Sequence, residues 1–186
     1  MGEVHGQVRE ADDAQAVARR RLALAQIRQY PDPALRMTAR DVETFDDELS
    51  RLAERMTNLM RDASGVGLAA TQVGVLRRLF VFQPDDDETA AVVNPRITRR
   101  SDESEVDDEG CLSLQGVQVP VERASSVRLE GKDVGGRAVS FNLEGMGARV
   151  AQHELDHLDG VLIIDRTTPE ARREALGVLR PRLVLD

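Results

Sequence analysis

Two histidines four residues apart, His153 and His157 in QHELDH, are the residues of this chain best spaced to do chemistry together. Four residues make slightly more than one helical turn, so on a helix both imidazoles lie on one face. At that spacing two ring nitrogens can grip one metal ion, with Glu154 beside them as an acid or base. Two histidines do not hold a catalytic metal alone, so a third ligand is needed. The zinc-protease continuation H-E-x-x-H-x-x-G-x-x-H matches as far as Gly160 and then fails, because Ile163 occupies the last position. The downstream carboxylates are Asp165, Glu170 and Glu174, while His5 lies in a polar tail. The remaining soft donor is Cys111, the only cysteine. As a thiolate it would complete a Cys-His-His set and leave a fourth position for water. A lone cysteine is also often an inert buried side chain. As a nucleophile it would need a histidine base, and the metal reading already uses both candidates.

The elements that must position these residues can be read from the surrounding pattern. A helix over 146–159 carries the histidine pair, with Gly160 as its C-cap. A second helix spans 44–61, where Phe45, Leu49, Leu52, Met56, Leu59 and Met60 recur at steps of three and four behind an acidic first turn. Residues 65–74, GVGLAATQVG, show no sustained period and are punctuated by glycine. RRLFVFQ and AAVVN read as strands joined by an acidic turn, PDDDET, with Asn94-Pro95 stopping the second. The stretch SDESEVDDEG (101–110) reads as a solvated acidic loop. VQVPVE and SSVRLEGKDVGGRAVSFNLEG alternate as antiparallel strands with VGG as a hairpin turn. Thr168 caps a last helix that opens on Pro169. The expected fold is α+β, with small antiparallel β-sheets packed around a central metal-binding helix.

Composition sets the class. The 186 residues suit one compact domain over 21–186, preceded by an extension of 1–20 that reads as a flexible tail or a solvated helix. Hydrophobic residues at 41% can build a core, and the net charge of −8 argues against DNA or an anionic membrane surface as a partner. One cysteine forbids an internal disulfide and fits a reducing compartment. No apolar run approaches the roughly 18 residues of a membrane span, and the polar start shows no signal peptide. A soluble, cytoplasmic protein is expected.

Three segments, GVGLAATQVG (65–74), EGCLS (109–113) and QHELDHLDG (152–160), resemble the signature motifs of the peptide deformylases, in that family's order. The resemblance extends to QIRQYPDPALR and AVVNPRI and so covers about residues 24–166. It implies one divalent metal ion per chain on Cys111, His153 and His157, Fe(II) favoured, with Zn, Ni or Co also accepted. It further implies Glu154 as general acid/base, and the Gln72 side-chain amide and Leu112 backbone N–H as donors to an oxyanion. Gly65 and Gly67 would let the first motif turn tightly against substrate, and Val66, Met146 and Val150 would line a pocket for a methionine side chain. Glu109 and Arg123 would pair to brace the cysteine loop. The implied substrate is an N-formylmethionyl nascent polypeptide, and the products are formate and a free amino terminus. The acidic stretch 101–109 and the first twenty residues are candidate contacts for the ribosome. The chain departs from the family at Gln115-Gly116, where many members have Pro-Gly. It departs again at Gln118, which replaces an arginine of some relatives and so carries over no substrate contact. Two other readings compete. One is a generic zinc metallopeptidase using a downstream carboxylate; the other is a non-catalytic, metal-stabilised binding module, for which no fourth protein ligand is found.

Overall fold

The structure, a computed structural model, describes residues 3–84 and 88–180, with side chains from residue 14 onward. Helix α1 (Glu3–Leu24) leads, through a short 3-10 turn at Pro33–Arg36, to α2 (Asp47–Asp62). The Asp46 carboxylate accepts a hydrogen bond from the Leu49 N–H at 2.9 Å and starts α2. Leu49, Met56, Leu59 and Met60 are buried, as their spacing predicts, with Phe45 and Leu52 partly buried beside them. The C-terminal end of α1 enters the same core through Ala23 and Leu24. The side chain of His5 lies outside the described residues.

Among the described residues seven strands follow: β1 (Gly67–Ala69), β2 (Leu79–Phe82), β3 (Ala90–Arg100), β4 (Ser104–Gly110), β5 (Gln118–Ala124), β6 (Ser126–Lys132) and β7 (Ala138–Glu144). Five of them form an antiparallel sheet in the order β1-β2-β3-β6-β7, and β4 pairs with β5 separately. Helix α3 (Gly145–Leu158) touches both sheets, and α4 (Pro169–Leu179) packs on β5. The α+β expectation, with α3 central, is met. Gly160 lies just past α3 at φ 74°, where a helix C-terminus favours glycine. Thr168 accepts from the Ala171 N–H and Pro169 opens α4. None of the described helices is long and apolar enough to cross a membrane.

Two local readings are overturned. Asn94-Pro95 does not stop β3, which continues to Arg100. Asn94 takes φ 51° at a register shift, and its side chain bonds both the N–H and the C=O of Val42. The irregularity takes in the proline without ending the strand. The acidic stretch 101–110 is not a loop, because 104–110 forms β4 in unbroken register with β5 from Ser104↔Ala124 to Gly110↔Gln118. Aspartate and glutamate disfavour strands locally, but ladder pairing overrides that preference. The turn expected at PDDDET includes residues 85–87, which lie outside the described residues.

Helix α3 is fixed by packing. Ala148, Val150, Ala151 and Leu158 meet Phe80, Phe82, Val92 and Leu129 from the larger sheet. Fully burying a large apolar side chain contributes about 1.5–3 kcal/mol, so the face of α3 opposite this core is held in place. A third core joins β5 to Leu114, Leu162, Ile163 and Ile164, with Cys111 partly buried at its edge. Ile163, which ended the protease continuation, is one of its buried members.

Candidate active site

His153 and His157 project from α3 with ring centroids 4.9 Å apart. Cys111 follows β4 directly, and Cys111, His153 and His157 place their ligand atoms within 4.8 Å of one another. The Cys111 Sγ lies 3.2 Å from His157 Nε2. No other such group is found among the described residues. Asp165 is engaged by Arg36 and Arg172 instead, and Glu170 and Glu174 are exposed on α4.

A buried carboxylate orients the first histidine. His153 Nδ1 and Glu109 Oε2 are 3.0 Å apart, which directs the other ring nitrogen toward the cluster. Glu109 also accepts two 2.9 Å bonds from Arg123 and one from Arg149 Nη1. Burial pushes the Glu109 carboxyl up, but Arg123 and His153 more than offset it and hold its pKa at about 2. Arg123 reaches on to Asp156 at 2.6 Å, so the cysteine loop and α3 share one charged network. Burial and the neighbouring His153 and Arg123 charges lower the His157 pKa well below its ordinary value, favouring the neutral, ligating form. Burial alone would lower His153 as well, but its Cys111 and Glu109 partners raise it well above the ordinary histidine value.

Glu154 is buried next to His153 on α3, and among the described residues its Oε2 has no hydrogen-bond partner. Burial raises its pKa to about 7, against the pull of the His153 charge. Gln72 is held at both ends of its amide. Its Oε1 accepts from the Ala69 N–H at 2.8 Å, and its Nε2 donates to Ser113 Oγ at 3.0 Å while lying 3.7 Å from Cys111 Sγ. The amide donor end therefore faces the cysteine loop. The Leu112 N–H has no protein acceptor among the described residues, while its carbonyl accepts from Gln29 Nε2 at 3.0 Å. Residues 28–30 clamp both loops, since Arg28 N–H donates to Gln72 O and Tyr30 N–H to Ser113 O.

Gly65 and Gly67 serve close approach rather than the tight turn expected of them, for neither has a left-handed φ; the third glycine of that stretch, Gly74, has φ 79°. A Cβ on Gly67 would lie within 2.8 Å of Glu154 Cδ, and one on Gly65 within 2.7 Å of Leu112 Cδ1. A cavity of about 750 Å³ opens here, and Gly65, Val66, Gly67, Met146 and Val150 all line it. Val150 is buried, whereas Val66 and Met146 are 46% and 62% exposed. Sequence reasoning missed Arg149, Asp156 and Ser113, whose partners lie 40, 33 and 41 residues away.

A sulfur donor and two imidazoles converging at this range, beside an unpartnered carboxylate oxygen, fit one divalent transition metal. The fold and site together define a metal-dependent hydrolase. The model of the polypeptide deformylase family matches residues 24–173. The chain is 44% identical over 162 residues to peptide deformylase 1 of Corynebacterium glutamicum, covering 86% of this chain and 96% of that one. It is 46% identical over 158 residues to the peptide deformylase of Thermotoga neapolitana, at 85% and 93% coverage. The crystal structure of peptide deformylase from Thermotoga maritima superposes with a TM-score of 0.74 at 45% identity, covering 77% of this chain and 97% of that one. Arabidopsis thaliana peptide deformylase 1B superposes with a TM-score of 0.78 at 40% identity, at 83% and 89% coverage. The chain belongs to the polypeptide deformylase family.

Proposed function

We propose that Cys111, His153 and His157 hold a single divalent metal ion, and that Glu154, Gln72 and the Leu112 N–H surround the reacting carbonyl. The enzyme is a metal-dependent hydrolase that removes the formyl group from N-formylmethionyl peptides and releases formate. The observation that carries the residue assignment is the unpartnered, buried Glu154 oxygen beside three converging soft donors. When bound, a divalent cation acidifies water and polarises a carbonyl. Glu154, with a pKa near neutrality, takes a proton from water and delivers it to the departing amine. Gln72 Nε2 and Leu112 N–H donate to the developing oxyanion, and the 28–30 clamp sets both donors in advance. Val66, Met146 and Val150 give the methionine side chain an apolar wall. Glu109 holds His153 in its ligating orientation.

Fe(II) is the preferred ion in this reading; a thiolate-imidazole set also accepts Zn, Ni or Co. A substrate made during translation assigns the enzyme to the cytoplasm. Contact with the ribosome, if made through 101–109, would use β4. Residues 1–20 are an extension to a single catalytic domain. The test is formate release from formyl-Met-Ala-Ser by enzyme purified anaerobically with its metal content measured. Active wild type and a Glu154→Gln variant slowed at least about 100-fold with full metal content are expected. Equal formate from the variant removes Glu154 from its role.

A further inference from the structure

The loop that follows β4 makes two consecutive turns. The Leu114 N–H donates to the Cys111 carbonyl at 3.0 Å, and the Val117 N–H donates to the Leu114 carbonyl at 3.3 Å. In the second turn Gly116 takes φ 77° and Gln115 has no positive φ, which is the type II pattern. The position held by Gln115 is the one where proline is favoured, because its ring fixes φ. The Gln115 N–H has no protein acceptor among the described residues, so a proline would break no bond there. Glutamine leaves that torsion free, and this loop carries both Cys111 and the Leu112 N–H. The restraint has to come from outside the loop.

It comes from Gln29, which lies between α1 and the 3-10 turn, is partly buried and does not line the cavity. Its Nε2 donates to the carbonyls of Ile27 at 3.2 Å and Leu112 at 3.0 Å. Its Oε1 accepts from Gln115 Nε2 at 3.0 Å. Carbonyls only accept, so the nitrogen end of the Gln29 amide belongs on Ile27 and Leu112 and the oxygen end on Gln115. One amide thus ties the segment before the 3-10 turn to both turns of the cysteine loop. The bond to the Leu112 carbonyl fixes the peptide plane after Leu112. The plane before it, which carries the Leu112 N–H, is held by the bond from Leu114 to the Cys111 carbonyl. The two planes meet at Leu112, so its two soft torsions are both restrained. The main-chain bonds of Arg28 and Tyr30 reach Gln72 and Ser113 but not Leu112.

We propose that Gln29 is a positioning residue, which presents the Leu112 N–H to the oxyanion and, through Gln115, supplies the rigidity that a proline would give the second turn. This rests on the deformylase reading and deepens it, by naming the side chain that sets one of the two oxyanion donors.

The test measures kcat and KM for formate release from formyl-Met-Ala-Ser by the full-length, metal-loaded chain, with metal content determined for each variant. Gln29→Ala should lower kcat per bound metal about tenfold, less than the loss of an oxyanion donor outright, with KM and metal content unchanged. Gln29→Glu keeps the size of the side chain but its carboxylate cannot donate, so it should fall at least as far. Adding Gln115→Pro to Gln29→Ala should regain about threefold of the loss, because proline fixes the second turn from within. Wild-type kcat in Gln29→Glu would mean that Gln29 only fills space, and overturns the proposal. So does a loss confined to KM or to metal content, or a double variant no faster than Gln29→Ala. Wild-type rates in every variant remove the role of Gln29 alone, whereas no formate from the metal-loaded wild type removes the deformylase reading as well.

Discussion

Replacing Glu109 by glutamine keeps the shape of the side chain and removes its charge. The carboxylate is buried and accepts hydrogen bonds from Arg123, Arg149 and the ring of His153. Its pKa falls from an ordinary 4.5 to about 2, which corresponds to about 3 kcal/mol of stability at neutral pH. A depressed carboxylate pKa contributes fully above pH 4.5, and the contribution is lost as pH falls toward 2. Removing one partner of a buried ion pair typically costs about 3–5 kcal/mol, because the other charge is stranded. Glu109→Gln should therefore unfold at lower urea concentration at pH 7, with a loss of about 3 kcal/mol. The gap to wild type should narrow as pH is lowered through the same window. Freed from its carboxylate partner, His153 should also bind metal about 10- to 100-fold more weakly in a competition titration. A variant within about 0.5 kcal/mol of wild type at pH 7, with unchanged metal affinity, would refute both the network and its orienting role.

Other substitutions separate the remaining parts of the site. Gln72→Ala should lower kcat by about 100- to 1000-fold, the usual loss for one oxyanion donor, when followed by formate release at saturating peptide. Cys111→Ser should lose bound metal in elemental analysis, while Asp165→Ala, whose carboxylate pairs with Arg36 and Arg172, should keep both metal and activity. The reverse pattern would support a peptidase with a downstream carboxylate ligand. Gly67→Ala places a methyl group against the Glu154 carboxylate. It should depress kcat at least about tenfold, given the cost of a small misplacement at a reacting group, with little change in circular dichroism.

What was legible in the sequence was whatever repeats locally or stands alone. The stripe from Leu49 to Met60 and the His153/His157 pair declare their helices through spacing, and Cys111 is conspicuous because no other cysteine competes with it. Strand β4 was illegible because its seven residues Ser104–Gly110 include four acids, and only pairing with β5 makes them a strand. The passage of β3 through Asn94-Pro95 depends on Val42, which is 52 residues away from Asn94. Arg149 gave no signal, since its role is set by Glu109 and by the Val121 and Glu105 carbonyls, all on the two-stranded β4-β5 sheet. Gly65 and Gly67 were expected to turn the backbone tightly, but neither has a left-handed φ. Backbone freedom can be anticipated from sequence, but the nearness of Glu154 to Gly67 cannot.

The clamp at residues 28–30 also bears on how the site comes into being. It ties Gln72 to Ser113 through main-chain bonds, and the helix that completes the cluster ends only at Leu158. Every segment of the centre is thus distant in sequence from its neighbours in space. Closing such long loops costs entropy that is recovered only when the final contacts form. Helix α3 alone carries His153, Glu154 and His157, but no contiguous stretch of the chain contains the whole centre. Catalytic competence is therefore a report on the whole topology, and a chain still emerging during synthesis stays inert until α3 has docked.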